Sequence, residues 1–209
     1  LLATIHRDSA GRGELVEPLG DLTIFDELRL DPFYRYMAET TSNEALAGSL
    51  QSLIEDTVAR KACLVLADFS PKNILLTSSG PVVVDFETAH IGDPGFDLGF
   101  FLSHLLLKVV FHEKQPQEML NLARRFWNAY RTELTEAQIG QGDFEHQCVR
   151  HLGACMLSRV DGKSCVDYLN ERQQQLVREF CQGILVPATD AATRTIESCF
   201  DELAQRLAS

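Results

Sequence analysis

The sequence is short of basic residues: 19 Lys and Arg stand against 30 Asp and Glu, for a net charge of −11. Nucleic-acid binding needs clustered Lys and Arg against the phosphates, so no nucleic-acid partner is expected. The charge admits a cationic ligand without identifying one, and a solvated acidic surface is the simpler account of it. Also lacking is any apolar run of the ~20 residues that span a bilayer. The longest, Leu98 to Phe111, is interrupted by Ser103, His104 and Lys108 and reads as a buried helix, so no membrane partner is expected. No charged-then-apolar leader is visible. The six cysteines have neither CxxC nor Cys/His zinc spacing. Cys148 and Cys155 fall seven apart on one expected helix, about 10 Å along its axis and beyond bridging range. Cys63, Cys148, Cys155, Cys181 and Cys199 sit in apolar stretches, as buried free thiols do. The thiols are read as reduced, no structural metal is expected, and the compartment is read as cytoplasm. No repeat, low-complexity linker or disorder-prone segment is present.

What the chain does have is an ordinary globular composition over 209 residues, 45% hydrophobic and 23% charged. That suits one large domain or two small ones. It opens on Leu1 rather than Met, and Leu-Leu-Ala-Thr-Ile-His reads as the middle of a helix, so a fragment of a longer chain is expected. Gly11-Arg-Gly13 breaks that helix as a plain loop. Asp31-Pro32 supplies a cap and a first-turn proline, predicting a short helix from Pro32 to about Ala38. Thr41-Ser42-Asn43-Glu44 has capping-box spacing. Leu46, Leu50, Leu53, Ile54 and Val58 then recur at three- and four-residue intervals, as on an amphipathic helix.

The pattern then changes to short β-type runs: Ala62 to Ala67, Ile74 to Leu76, and Pro81 to Val84. Ser78-Ser79-Gly80 turns between the last two, and the three are read as a small hairpin system. From Asp93-Pro94 onward the chain reads as helical. Helices are predicted to about His112, then near 116–133, 143–159, 171–185 and 190–207, with Pro187 ending the fourth and Thr189 or Asp190 starting the last. The expected fold class is α+β, mostly helical, with the hairpin set into its middle.

Asp68, Asn73 and Asp85 each stand at the edge of an apolar β run, where rigid backbone holds a side chain that remains accessible. Pro71 favours a set loop between the first two. Phosphoryl transfer needs a carboxylate to orient a hydroxyl and accept its proton, and oxygen ligands to hold magnesium against nucleotide phosphates. Asp68 suits the first task; Asn73 and Asp85 offer a neutral and an anionic oxygen for the second.

In order, Asp68-x-x-Pro71-x-Asn73, an apolar strand, a turn, a second strand, Asp85-Phe-Glu87 and Gly92-Asp93-Pro94-Gly-Phe-Asp97 resemble the aminoglycoside/choline kinase-like phosphotransferases. The resemblance extends upstream to Phe25–Tyr34 and downstream to Arg159-Val-Asp-Gly-Lys-Ser164. It implies the C-terminal lobe of a protein-kinase-like fold over residues 1–209, with the N-terminal nucleotide-binding lobe absent. It also implies Asp68 as catalytic base, Asn73 and Asp85 as nucleotide-magnesium ligands, and Asp97 as a carboxylate bracing the catalytic loop from below. Mg2+ and ATP are the implied cofactor and donor. The implied partners are a small-molecule hydroxyl acceptor and the N-terminal lobe of the parent chain. An aminoglycoside, choline, a sugar and an amino alcohol all remain open as acceptors.

Two departures from the family pattern stand out. Leu66-Ala67 replaces His-Gly before the base, and Ala67 is harmless only at negative φ. No glycine-rich phosphate loop or strand-borne Lys is present. A kinase lobe inactive in isolation is therefore the first expectation, and a non-catalytic pseudokinase that binds through the same groove is the second. Of the other polar residues, Lys72 reads as a solvated loop lysine, Glu87 as an outer-shell candidate, Asp93 as a helix cap and His104 as a satisfied core histidine. Phe126, Trp127 and Tyr130 read as packing.

Overall fold

The computed structural model describes residues 1–134, 143–186 and 194–208. The first helices are α1 (Leu2–Ser9), α2 (Val16–Leu19) and α3 (Thr23–Phe25). A π-helical stretch, Asp26–Arg35, joins α3 to α4 (Tyr36–Thr40). This corrects the short helix expected from Pro32: the chain is already helical there, and Pro32 lies inside the run. Proline has no N–H for the carbonyl four residues back and its ring crowds that carbonyl, so the turn widens. The bond from the Tyr36 N–H to the Asp31 carbonyl, five residues back, is the π signature. Within this run the Arg29 guanidinium donates to the Leu28 carbonyl at 2.8 Å.

Helix α5 (Glu44–Ala59) starts on Asn43, whose side chain accepts from the Leu46 N–H at 3.1 Å. Its buried stripe is Leu46, Leu50, Leu53, Ile54 and Thr57, while Val58 is exposed. The stripe closes on Thr57 because that position is three residues beyond Ile54, and its hydroxyl donates to the Leu53 carbonyl.

The β runs separate into two antiparallel pairs. β2 (Ile74–Thr77) and β3 (Gly80–Val83) form the expected hairpin. β1 (Cys63–Val65) instead pairs with β4 (His90–Gly92), a strand the sequence reading had not singled out. The β1–β4 pair closes the base of an excursion, residues 66–89, that contains Asp68, Asn73 and Asp85.

Immediately after β4, Asp93 caps α6 (Pro94–Phe111) by accepting from the Gly95 N–H at 2.8 Å. Helix α6 is apolar on nearly every side and is the centre of the core. By length and composition alone it would also suit a bilayer, but 83% of it is buried within this fold. Around it lie α7 (Gln117–Glu133), α8 (Phe144–Asp161) and α9 (Glu171–Leu185), and α10 (Ile196–Ala208) packs on α7 and α8. The expected boundaries at Pro187 and at Thr189 or Asp190 lie outside the described residues. Trp127 and Tyr130 are buried, and Phe126 stacks near Phe69 and Phe101.

Helices α6 and α8 touch backbone to backbone. A Cβ on Gly99 would lie 2.5 Å from His151 Cβ and 2.6 Å from the backbone there. A polar chain ties this contact to the rest. Asp93 Oδ2 meets Arg60 Nε at 3.3 Å and His151 Nε2 at 3.4 Å, and His151 Nδ1 meets the Tyr34 hydroxyl at 2.9 Å. The start of α6 is therefore fixed to α5, α8 and the π stretch together. The six cysteines are unbridged, and burial pushes the Cys155 and Cys199 thiols up to about 12.

Candidate active site

Asp97 sits on the first turn of α6, completely buried, and serves the loop that leaves β1. Its two oxygens accept from the backbone N–H of Leu66 at 2.8 Å and of Ala67 at 2.7 Å. The same carboxylate meets His6 Nε2 of α1 at 3.1 Å, and His6 Nδ1 meets the Tyr130 hydroxyl of α7 at 2.8 Å. A carboxylate only accepts, so Nε2 carries the proton; in the neutral ring Nδ1 then accepts from tyrosine. Thr88 completes the support by donating to the Leu66 carbonyl at 2.9 Å.

Held in this way, Ala67 takes φ +58°, the left-handed backbone that glycine adopts without strain. The condition under which alanine here is harmless is therefore not met. The next residue, Asp68, turns its carboxylate to a set of donors and is only 5% exposed. Oδ1 meets an Arg29 terminal nitrogen at 2.9 Å, while Arg29 Nε donates to the Ala67 carbonyl at 2.8 Å. Oδ2 accepts from Asn73 Nδ2 at 2.8 Å and meets Lys72 Nζ at 3.2 Å. The Arg29 guanidinium lies over the Phe100 ring, 5.6 Å from its centroid. Arg29 is thus fixed by the Leu28 carbonyl, the Ala67 carbonyl, Asp68 and an aromatic face. Lys72, 65% exposed, is the loose member, and its ion pair contributes little to stability.

Asn73 opens the β2–β3 hairpin and Asp85 follows it. The Val84 N–H donates to the Asn73 carbonyl at 3.0 Å, which places residues 73 and 84 opposite each other and Asp85 one residue further. Asp85 has φ +70°, which ends the strand's alternation, and its side chain is exposed. The Asn73 amide nitrogen also donates to the Asp68 carbonyl at 3.0 Å, so the nitrogen is committed to the loop and Oδ1 is the atom left for a ligand. One neutral amide oxygen and one carboxylate form an oxygen-only donor set that suits magnesium, which takes one or two carboxylates from protein. Among the described residues, no three His, Cys, Asp or Glu side chains are gathered around a common metal position.

Beyond the loop, His104 stands on α6 edge-on to Phe100, their centroids 4.9 Å apart. Its Nε2 is buried without a hydrogen-bond partner, contrary to the satisfied core histidine expected from the sequence. Burial and the nearby Arg159 charge lower its pKa to about 4. Glu87 is exposed, and Arg159 bonds Ser164 across the turn after α8.

The residues missed in the sequence are Arg29, His6 and Thr88, which lie 38, 91 and 22 positions from their partners in this site.

A model of the phosphotransferase enzyme family matches residues 18–137, more than half of the chain. Methylthioribose kinase of Bacillus mycoides (strain KBAB4) is 27% identical over 148 residues, covering 62% of this chain and 36% of that protein. Methylthioribose kinase of Bacillus cereus (strain ATCC 10987 / NRS 248) is 31% identical over 86 residues, covering 41% of this chain and 22% of that protein. The chain spans about a third or less of the length of these curated relatives.

Proposed function

The chain belongs to the phosphotransferase enzyme family, and from that premise we propose that it is the catalytic-loop lobe of a small-molecule kinase. In this reading the γ-phosphoryl group of ATP passes to a hydroxyl of the acceptor, and the nucleotide is held by a further lobe of the protein. The relatives named for methylthioribose favour a sugar hydroxyl. The observation that carries the reading is the set of donors around Asp68, on a loop whose backbone Asp97 and Arg29 hold from two sides.

Asp68 has the role of general base. Arg29 fixes its rotamer, and the carboxylate takes the proton of the acceptor hydroxyl as the oxygen attacks phosphorus. Lys72 is long and exposed enough to leave Asp68 for a phosphate oxygen. Asn73 Oδ1 and Asp85 would hold Mg2+, which when bound neutralises the phosphate charge that develops in transfer. Asp97 is a positioning residue that acts through the backbone of Leu66 and Ala67.

The test is acceptor-dependent ADP release by the whole protein with methylthioribose and related hydroxyl compounds. Asp68→Asn should lower kcat by about 10²–10⁴-fold with little change in KM. An unchanged kcat would remove Asp68 from the chemistry.

One observation favours the non-catalytic reading: Ala67 imposes left-handed strain at a position the family gives to glycine. If the whole protein binds ATP yet releases no ADP with any acceptor, and Ala67→Gly does not restore turnover, the binding-only reading stands.

A further inference from the structure

Between α5, α8 and α9 lies a cavity of about 130 Å³. Folded interiors leave few voids larger than a water molecule, so an opening of this size over apolar side chains is unusual. Its floor is Val149 of α8 with Ile184 and Leu185 at the end of α9, all buried. Its polar lining is Ser49 of α5, His146 and Arg150 of α8, and Arg194. Among the described residues that line it there is no carboxylate. An apolar cavity of about 150 Å³ holds benzene, so a ligand of about six to eight heavy atoms matches the space.

Both guanidinium groups are anchored by residues outside this lining. Arg150 Nη1 donates to Asp56 and to Gln147 Oε1, and its Nη2 donates to Ser52 Oγ at 3.2 Å. Those bonds use the terminal nitrogens and leave Nε. Arg194 Nη2 donates to Glu202 at 2.7 Å, and its Nη1 has no partner in the protein. Glu202 also accepts from Arg206 Nε at 2.9 Å, so one carboxylate faces two cations. Residues 146, 149 and 150 share one face of α8. Gln147 and His151, on its other side, meet α6 at Gly95 and Gly99. The cavity is therefore turned away from the helix that braces the Asp68 loop.

We propose that this cavity binds a small organic carboxylate with a branched or aromatic body, at a site separate from Asp68. The inference does not rest on the kinase reading. Arginine is always charged and its fork matches a carboxylate, so the rim favours an anionic head. The floor favours an apolar body, which supplies the contacts that an empty space forfeits. An amine would face two guanidinium groups with no acid in the lining. Inorganic phosphate would meet the rim and leave the floor unfilled. An alcohol of the same shape would fill the floor but give the guanidinium groups a neutral partner, for a bond roughly half as strong.

The test measures binding of isovalerate, benzoate, 3-methyl-1-butanol, isopentylamine and inorganic phosphate to the whole protein, followed by NMR at the Ile184 and Val149 methyl groups. At least one of the two carboxylates should bind about tenfold more tightly than the alcohol, the amine and phosphate, and shift those methyl resonances. Arg194→Gln should weaken that binding about tenfold or more, the effect of one lost charge-assisted hydrogen bond. Ser49→Leu puts an apolar side chain into the cavity from its rim and should abolish binding; it serves if Arg194→Gln fails to fold. Asp68→Asn should leave binding within about twofold. Equal binding of the alcohol reduces the cavity to an apolar void and overturns the proposal, and tighter binding of phosphate or the amine overturns it too. So does carboxylate binding that neither Arg194→Gln nor Ser49→Leu weakens or that Asp68→Asn removes, or no carboxylate binding at about 10 mM. Because the readout is binding at the Ile184 and Val149 methyl groups, a failure of ADP release would leave this site standing, and its own failure would leave the kinase reading intact.

Discussion

Replacing Asp97 with alanine tests the support beneath the catalytic loop. The carboxylate is fully buried and serves three donors: the Leu66 and Ala67 N–H groups at 2.8 and 2.7 Å and His6 Nε2 at 3.1 Å. Alanine leaves all three in a dry site. An orphaned buried donor costs about 1–3 kcal/mol, and breaking a buried charged contact typically costs about 3–5 kcal/mol in total. The lower figure applies if water enters the space left by the carboxylate. At about 2–4 °C per kcal/mol for a chain of this size, the melting temperature should fall by roughly 10 °C. Thermal unfolding followed by helical circular dichroism reads the global loss, and amide exchange at residues 66 and 67 reads the local one. Asp97→Asn retains one acceptor oxygen but sets an NH2 group against a backbone N–H, so it should fall between alanine and wild type. Asp68→Asn, which keeps an oxygen for Arg29, should cost less than either. If Asp97→Ala shifts stability by under about 1 kcal/mol and leaves both amides protected, the bracing role is wrong.

Three further outcomes are expected. Ala67→Val should destabilise by about 2 kcal/mol or more in urea unfolding, because a β-branched residue at φ +58° is a true outlier; Ala67→Gly should lie within about 1 kcal/mol of wild type, strain relief being offset by a lost buried methyl. Gly99→Ala should cost about 1–3 kcal/mol by overpacking α6 against the α8 backbone, and an unchanged melting temperature would contradict the 2.6 Å approach. Unfolding free energy should fall by about 2 kcal/mol from pH 7.5 to pH 5 through His104. Its folded pKa of about 4 lies below the ordinary 6.5, so the unfolded chain gains the proton first. The stability it contributes is full above pH 6.5 and lost as pH falls toward 4. His90, lowered by burial, acts in the same direction. His104→Phe should flatten that slope, and an unaltered slope would assign the dependence elsewhere.

Much of the architecture was legible because its signals are local. Helices α6 to α9 follow from apolar periodicity, and the Asp93 cap with Pro94 marks the start of α6. Asp68, Asn73 and Asp85 were visible as polar residues ending apolar runs. Two features were not legible, for different reasons. The β1–β4 pairing joins three-residue strands across a long excursion, and short apolar runs carry no record of their partners. Asp31-Pro32 has the same local chemistry whether it opens a helix or widens one. Only the helical run already under way from Thr23 decides between them. Arg29, His6 and Thr88 were invisible because each acts on backbone or a carboxylate far away in sequence. Their residue types say nothing of what they face.

The hairpin also has a consequence for how copies of this chain behave in solution. Among the described residues β2 and β3 pair only with each other, so each has an outer edge that no described strand covers, and Leu75, Leu76, Val82 and Phe86 are exposed on or beside them, Leu76 at 87%. Such an edge templates pairing with another chain. The turn pair Thr77 and Gly80 is followed by Leu76 opposite Pro81, where the N–H groups point outward, and Pro81 has none to offer. Edge-to-edge association is therefore favoured along β2 rather than β3. The net charge of −11 keeps copies apart only within the screening length, about 10 Å at 0.1 M salt and about 3 Å at 1 M. Added salt should thus promote self-association through β2, and a charged residue in place of Leu76 should prevent it.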